Sequence, residues 1–129
     1  MTRTFPYLRK GNQYFPVIDV ELRHGRVALR LKALVDSGAS LSVFRAEVAE
    51  YLGIRIEKGK PIYLTGIGGR ILGYLHTLPV RVGSTRFRCK IVFSKEFTVS
   101  LNILGRDNFF QPFLITFAER RRQLILRDI

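Results

Sequence analysis

The sequence predicts a mainly β domain with one or two short helices. Three features point that way: short stretches alternate apolar and polar residues, glycines punctuate them, and only one stretch has helical spacing. Tyr14 to His24 places Ile18, Val20 and Leu22 on one face, with Asp19 and Glu21 on the other. His24-Gly25 suits a hairpin turn into Val27–Val35, where Val27, Leu29 and Leu31 oppose Arg30 and Lys32. The alternation ends at Ala33-Leu34-Val35, as when a strand enters the interior. Phe44 to Leu52 is the helix, with Gly53 as its stop. Extended segments follow at Pro61 to Thr65 and Ile71 to Val82, joined through Gly66-Ile67-Gly68-Gly69. Arg86, Arg88 and Lys90 alternate with Phe87, Cys89 and Ile91, which predicts a half-buried strand. Leu101 to Leu104 is short and apolar, Gly105 to Phe110 suits one helical turn, and Phe113 to Phe117 and Gln123 to Leu126 close the domain. Residues 1–13 are set apart as an N-terminal arm, and residues 14–129 form the single domain.

The chain has 129 residues, 47% of them hydrophobic, enough for a core without disulfides. Its one cysteine, Cys89, precludes an internal disulfide and fits a reducing compartment. No apolar run approaches the ~18 residues of a membrane span. The basic N-terminal stretch is not followed by a signal-type apolar segment, so a cytoplasmic protein is expected. The net charge of +12 is compatible with nucleic acid, an anionic membrane surface or an acidic protein. Its cations are spread along the chain with one tight run, Arg120-Arg121-Arg122, so a nucleic-acid partner is possible but not expected. Two histidines and one cysteine cannot complete a zinc finger, no other metal-ligand spacing occurs, and no cofactor is expected. Gly-x-Ser-x-Gly is absent, and nothing in the sequence brings His24 or His76 to Cys89.

Three segments carry chemistry. In Ala33–Ser40, ALVDSGAS, an aspartate ends an apolar strand and is followed by a small hydroxyl and a glycine. Such a turn presents Asp36 to a cleft with its backbone braced, although the same residues also build ordinary solvated loops. In Tyr63–Tyr74, YLTGIGGRILGY, three glycines within four positions make a supple hairpin tip. Such a tip can close over an extended peptide, or be a phosphate-cradling loop or a plain glycine-rich turn. A dinucleotide fingerprint fails there, because Ile71 stands at the third glycine position. In Asn102–Phe110, NILGRDNFF, two apolar residues before a glycine can pack behind the aspartate's loop.

In this order the three segments resemble the retropepsins, the single-domain aspartic proteases of retroviral type and their cellular and bacterial relatives. ALVDSGAS resembles the family's hydrophobic-hydrophobic-Asp-Thr/Ser-Gly-Ala motif, which implies that Asp36 is catalytic. The resemblance makes Ser37 the hydroxyl that hydrogen-bonds across a dimer axis, and Gly38 and Ala39 the cleft floor. It makes Gly66, Ile67, Gly68 and Gly69 the tip of a substrate-binding flap. Ile103, Leu104, Gly105 and Arg106 match the second hydrophobic-hydrophobic-glycine element, a structural one. The implied fold is a closed β-barrel or sandwich with a flap hairpin. Viral members carry an acidic residue where this chain has Ser40 and Leu41, so Arg106 needs another partner, such as a carbonyl or Asp107.

Peptide hydrolysis by this route uses two carboxylates and one water. The remaining aspartates are Asp19, Asp107 and Asp128, and none is followed by Ser/Thr-Gly. The expectation is therefore an aspartic endopeptidase that is active as a homodimer on protein or peptide substrates, with Leu34, Ala39, Ile67 and Ile71 shaping apolar pockets. The alternative is a catalytically silent module of the same fold that dimerises or binds peptides.

Overall fold

The computed structural model describes residues 1–129. Its strands are β1 (Thr2–Pro6), β2 (Leu8–Lys10), β3 (Gln13–Phe15), β4 (Val17–His24), β5 (Val27–Val35) and β6 (Ser42–Arg45). After the helix α1 (Ala46–Leu52) come β7 (Lys60–Gly66), β8 (Gly69–Val82) and β9 (Thr85–Ser94). The chain ends with β10 (Asn102–Leu104), β11 (Phe113–Ala118) and β12 (Gln123–Asp128). Two 3₁₀ turns, Ile56–Lys58 and Glu119–Arg121, complete the inventory. The mainly β reading holds. No helix is long and apolar enough to cross a membrane.

Seven strands form one sheet in the order β4-β5-β10-β6-β9-β8-β7. Strand β4 also pairs with β8, at Glu21 with Arg81 and Leu22 with Val80, which folds the sheet back on itself. Alternation of apolar and polar residues, read in the sequence for β4 and shared by the end of β8, drives this closure. Ile18, Val20 and Leu22 from β4 and Leu78, Val80 and Val82 from β8 turn inward and are buried. A smaller sheet, β1-β12-β11, lies alongside. Thus β1, within the segment set apart as an arm, pairs with β12 over its whole length.

The helix is shorter than its expected span. Phe44 and Arg45 belong to β6, which runs parallel to β9 with Phe44 opposite Phe93. Ser42, Val43 and Phe44 are all buried, so β6 shows no alternation for a sequence reading to detect. Helix α1 buries Ala46, Val48, Ala49 and Leu52 and leaves Tyr51 outside. It ends at Gly53, whose φ of 74° is the left-handed conformation that glycine adopts without steric cost.

The stretch from Gly105 to Phe110 makes a single turn, closed by Phe110 N–H donating to the Arg106 carbonyl at 3.3 Å. Asn108 has φ 67°, so helix cannot propagate through it. Phe109 anchors the turn from within the core, packed between Phe87 and Phe113 with ring centroids 5.8 Å away in each case.

Two buried groups titrate unusually. Burial pushes the Cys89 thiol up to about 11, which leaves an inert thiol rather than a nucleophile. Burial, helped by a hydrogen bond from Tyr7 Oη to Glu119 at 3.1 Å, raises the Tyr7 phenol to about 12. The folded state therefore holds this proton between pH 10 and 12, where the unfolded state releases it. Its stabilising contribution is full below pH 10 and is lost as pH rises toward 12. Alkaline titration followed by tyrosinate absorbance should show a component delayed toward pH 12. In Tyr7→Phe that delayed component should be missing.

Candidate active site

The loop between β5 and β6 carries Asp36, and β10 is threaded between those same two strands. It runs parallel to β5, with Leu104 opposite Val35, and antiparallel to β6, with Ile103 opposite Val43. This insertion braces the loop backbone at several points. Asp36 N–H donates to the Leu104 carbonyl at 3.0 Å, and Arg106 N–H donates to the Ala39 carbonyl at 2.9 Å. Asp107 N–H reaches the Ser40 carbonyl at 2.8 Å, and Gly105 N–H reaches the buried Ser42 Oγ at 3.0 Å. A side chain at position 105 would overlap the backbone of Leu41. Glycine is required there by proximity, because only a residue without Cβ lets the two segments touch.

Within the loop, Gly38 N–H donates to Asp36 Oδ1 at 2.9 Å, and Ala39 N–H donates to the Asp36 carbonyl at 3.2 Å. One carboxylate oxygen is thus oriented by the backbone. The side chain of Asp36 is half-buried, Ala39 likewise, while Ser37 and Gly38 are exposed.

Asp36 borders two grooves. The first is a cleft of about 460 Å³ shared with Gly38, Ala39, Ile103 and the β7–β8 hairpin. From that hairpin, Leu64, Gly66, Gly68, Gly69 and Ile71 line the cleft. Gly69 has φ 116°, a conformation that only glycine takes readily, so the tight reversal depends on it. At the tip the Ile67 side chain is fully exposed. On the hairpin's other face the Arg70 guanidinium stacks 4.2 Å from the Tyr63 ring, away from the cleft-facing Leu64 and Ile71. The second groove contains Phe15, Pro16, Leu34, Ser37 and Phe117. Of the four apolar residues expected to shape pockets, Ala39 and Ile71 line the cleft, Leu34 lines this second groove, and Ile67 lines neither.

Arg106 finds no partner of the kind expected: its side chain is exposed and makes no ion pair. Asp107 lies nearest to Lys90, 3.9 Å from its Nζ. The backbone of Ile103, Leu104 and Gly105, rather than the arginine side chain, is what couples β10 to the loop within this chain.

The residues that sequence reasoning missed come from the turn after β9. Glu96, Phe97, Thr98 and Val99 form part of the cleft wall. Ser94 Oγ donates to the Leu72 carbonyl at 2.6 Å and accepts from Glu96 N–H at 3.1 Å, while Leu72 N–H donates to Glu96 Oε1 at 3.4 Å. This turn therefore clasps the hairpin at Leu72. Glu96 and Asp36 are the only charged side chains bordering the cleft. The sequence holds no local signal for Glu96, since the sheet order alone brings β9's end to the cleft.

The sequence matches the aspartyl protease family over residues 19–108, most of the chain, with Asp36 and β10 inside the match. The chain belongs to that family. It is 33% identical over 100 residues to DNA damage-inducible protein 1 of Neurospora crassa, covering 75% of this chain and 22% of that protein. It is 29% identical over 100 residues to the UBA domain-containing protein Mud1 of Schizosaccharomyces pombe, covering 75% and 29%. This member of the family thus spans about a quarter of the length of those relatives. Its fold is similar to that of a retropepsin-like aspartic protease from Rickettsia conorii, with a TM-score of 0.71, 23% identity and 98% of both chains covered. It is also similar to EIAV protease, with a TM-score of 0.60 and 19% identity over 81% of this chain and 92% of the other. The retropepsin-like character expected from the three motifs is borne out at the level of family and fold.

Proposed function

We propose that two copies of this chain form one aspartic endopeptidase, with an Asp36 from each. The observation that carries the reading is the position of Asp36, oriented by Gly38 N–H on a loop that faces a peptide-sized cleft on one side and, on the other, an open groove lined by Phe15, Leu34, Ser37, Phe117 and Glu119. The chain offers no second Asp-Ser/Thr-Gly, so the second carboxylate comes from a twofold partner whose equivalent loop seats against the groove of Leu34, Ser37 and Phe117. Across that axis the Ser37 hydroxyls link the two loops beneath the carboxylates.

In such a pair the two carboxylates cannot both ionise easily, so one proton is held between them. The ionised one takes a proton from a water lodged between them. The water oxygen attacks the scissile carbonyl, which receives a proton from the other carboxyl. The tetrahedral intermediate then collapses as its nitrogen is protonated and the C–N bond breaks. The β7–β8 hairpin acts as the flap: its glycine tip closes over an extended peptide and excludes water. Residues 14–129 act as the peptidase domain, with β1 of the N-terminal arm added at the edge of its smaller sheet.

Leu64, Ile71, Phe97 and Val99 favour apolar side chains in the cleft, and Glu96 adds a preference for a basic one at the end it borders. Glu96→Gln should lower kcat/KM for a peptide bearing Lys there by about tenfold, with little change for its norleucine counterpart. Equal loss on both peptides would assign Glu96 a purely structural part.

The test of the function is cleavage of an unfolded, apolar-rich protein over a range of enzyme concentration. Activity that rises faster than linearly at low concentration supports the dimeric enzyme. A stable dimer that binds peptides and cuts none would favour the silent module.

A further inference from the structure

Along the barrel wall, strands β5, β4, β8 and β9 are consecutive neighbours. Their register aligns one outward face. Arg30 stands opposite Glu21, Glu21 opposite Arg81 and Arg81 opposite Arg86; one step to one side of this row Lys32 stands opposite Asp19, and one step to the other side Pro79 stands opposite Arg88. Because residues two apart share a face, this surface consists of Ala28, Arg30 and Lys32, of Asp19, Glu21 and Arg23, of Thr77, Pro79 and Arg81, and of Arg86, Arg88 and Lys90. Twelve residues hold seven cations and two carboxylates, a net charge of +5 out of +12 for the whole chain. The cations that looked evenly scattered in the sequence are concentrated by the fold.

Both carboxylates are already engaged. Asp19 pairs with Lys32 at 3.0 Å, and Glu21 pairs with Arg81 and, at 3.3 Å, with Arg23. Its bond from Arg81, above all, holds the Glu21 carboxyl below the usual range. Arg30 and Arg86 have no ion-pair partner; Arg88 donates only to the Thr77 carbonyl at 3.2 Å, and Lys90 has only the long approach to Asp107. These side chains are exposed. The face carries no aromatic residue and no large aliphatic one. A protein partner would find no apolar anchor there, and a single strand would find no ring on which to stack its bases.

From this arrangement we propose that the face binds the phosphate backbone of duplex nucleic acid without sequence preference, apart from any peptide bound at Asp36. Four strands span about 14 Å, and Arg86, Arg88 and Lys90 are spaced about 6.8 Å apart along β9. A duplex presents one charge per ~1.7 Å of its axis, so a stretch of that length meets every unpaired cation with phosphates to spare. Arginine forks suit phosphate oxygens geometrically as well as by charge.

The test compares two triple variants that remove equal charge: Arg86→Gln/Arg88→Gln/Lys90→Gln on the face, and Arg55→Gln/Arg120→Gln/Arg121→Gln elsewhere, all at exposed positions. Binding of the full chain to a labelled random-sequence DNA duplex is measured by anisotropy between 50 and 200 mM salt, a range in which phosphate contacts are separable by their salt dependence. The face variant should lose affinity at least tenfold at low salt, and its log–log salt slope should become shallower by about 2.7, as expected for three lost phosphate contacts. The control should change less than about threefold, with a slope shift below about 1. Equal losses in both variants would overturn the proposal in favour of undirected attraction. So would salt-dependent binding to phosphatidylserine vesicles with none to duplex, or no binding by the unaltered chain.

Discussion

Asp36→Asn lowers peptide cleavage by about 10³- to 10⁴-fold on this account. The substitution preserves shape: an asparagine Oδ1 still accepts from Gly38 N–H, so the loop and its bonds to β10 persist. What disappears is the group that can exchange a proton with water, and in a homodimer it disappears twice. The loss should fall on kcat, with peptide affinity changed only severalfold. Cleavage kept within tenfold of the unaltered enzyme would remove this carboxylate from the chemistry.

The second large effect is structural. Gly105→Ala puts a methyl group into the backbone of Leu41, between two segments fixed to each other by hydrogen bonds on both sides. Neither can retreat without breaking the bonds that brace the aspartate's loop. A loss of about 3 kcal/mol or more in denaturant unfolding is expected, with activity failing even where the fold survives. Gly68→Ala is the contrast: a Cβ there meets no atom within 4 Å and the backbone needs no left-handed φ, so stability should stay within about 0.5 kcal/mol. Equal effects at the two positions would refute close contact as the reason for Gly105.

Asp36, the glycine tip and Ile103-Leu104-Gly105 were legible because each demands particular residue types within a few positions. A reversal needs glycine at Gly69, and a touching backbone needs it at Gly105. Alternation likewise announced β4, β5 and the first half of β9, where one face is wet. Strand β6 gave no such sign, because Val43 and Phe44 are enclosed on both sides. Glu96 was hidden for another reason: it lies 60 residues from Asp36, and only the order of strands in the sheet brings both to one cleft. Register had the same effect on the charges. Arg30, Arg81 and Arg86 become a row only when their strands pair.

A subunit-mixing experiment tests the shared active site most directly. Unaltered chain at fixed concentration is equilibrated with increasing amounts of Asp36→Asn, and peptide cleavage is followed. If each active site takes one carboxylate from each of two chains, the variant captures active chains in dead pairs, and a tenfold excess should cut activity about tenfold. Activity indifferent to the added variant, under conditions where mixed dimers are shown to form, would contradict it.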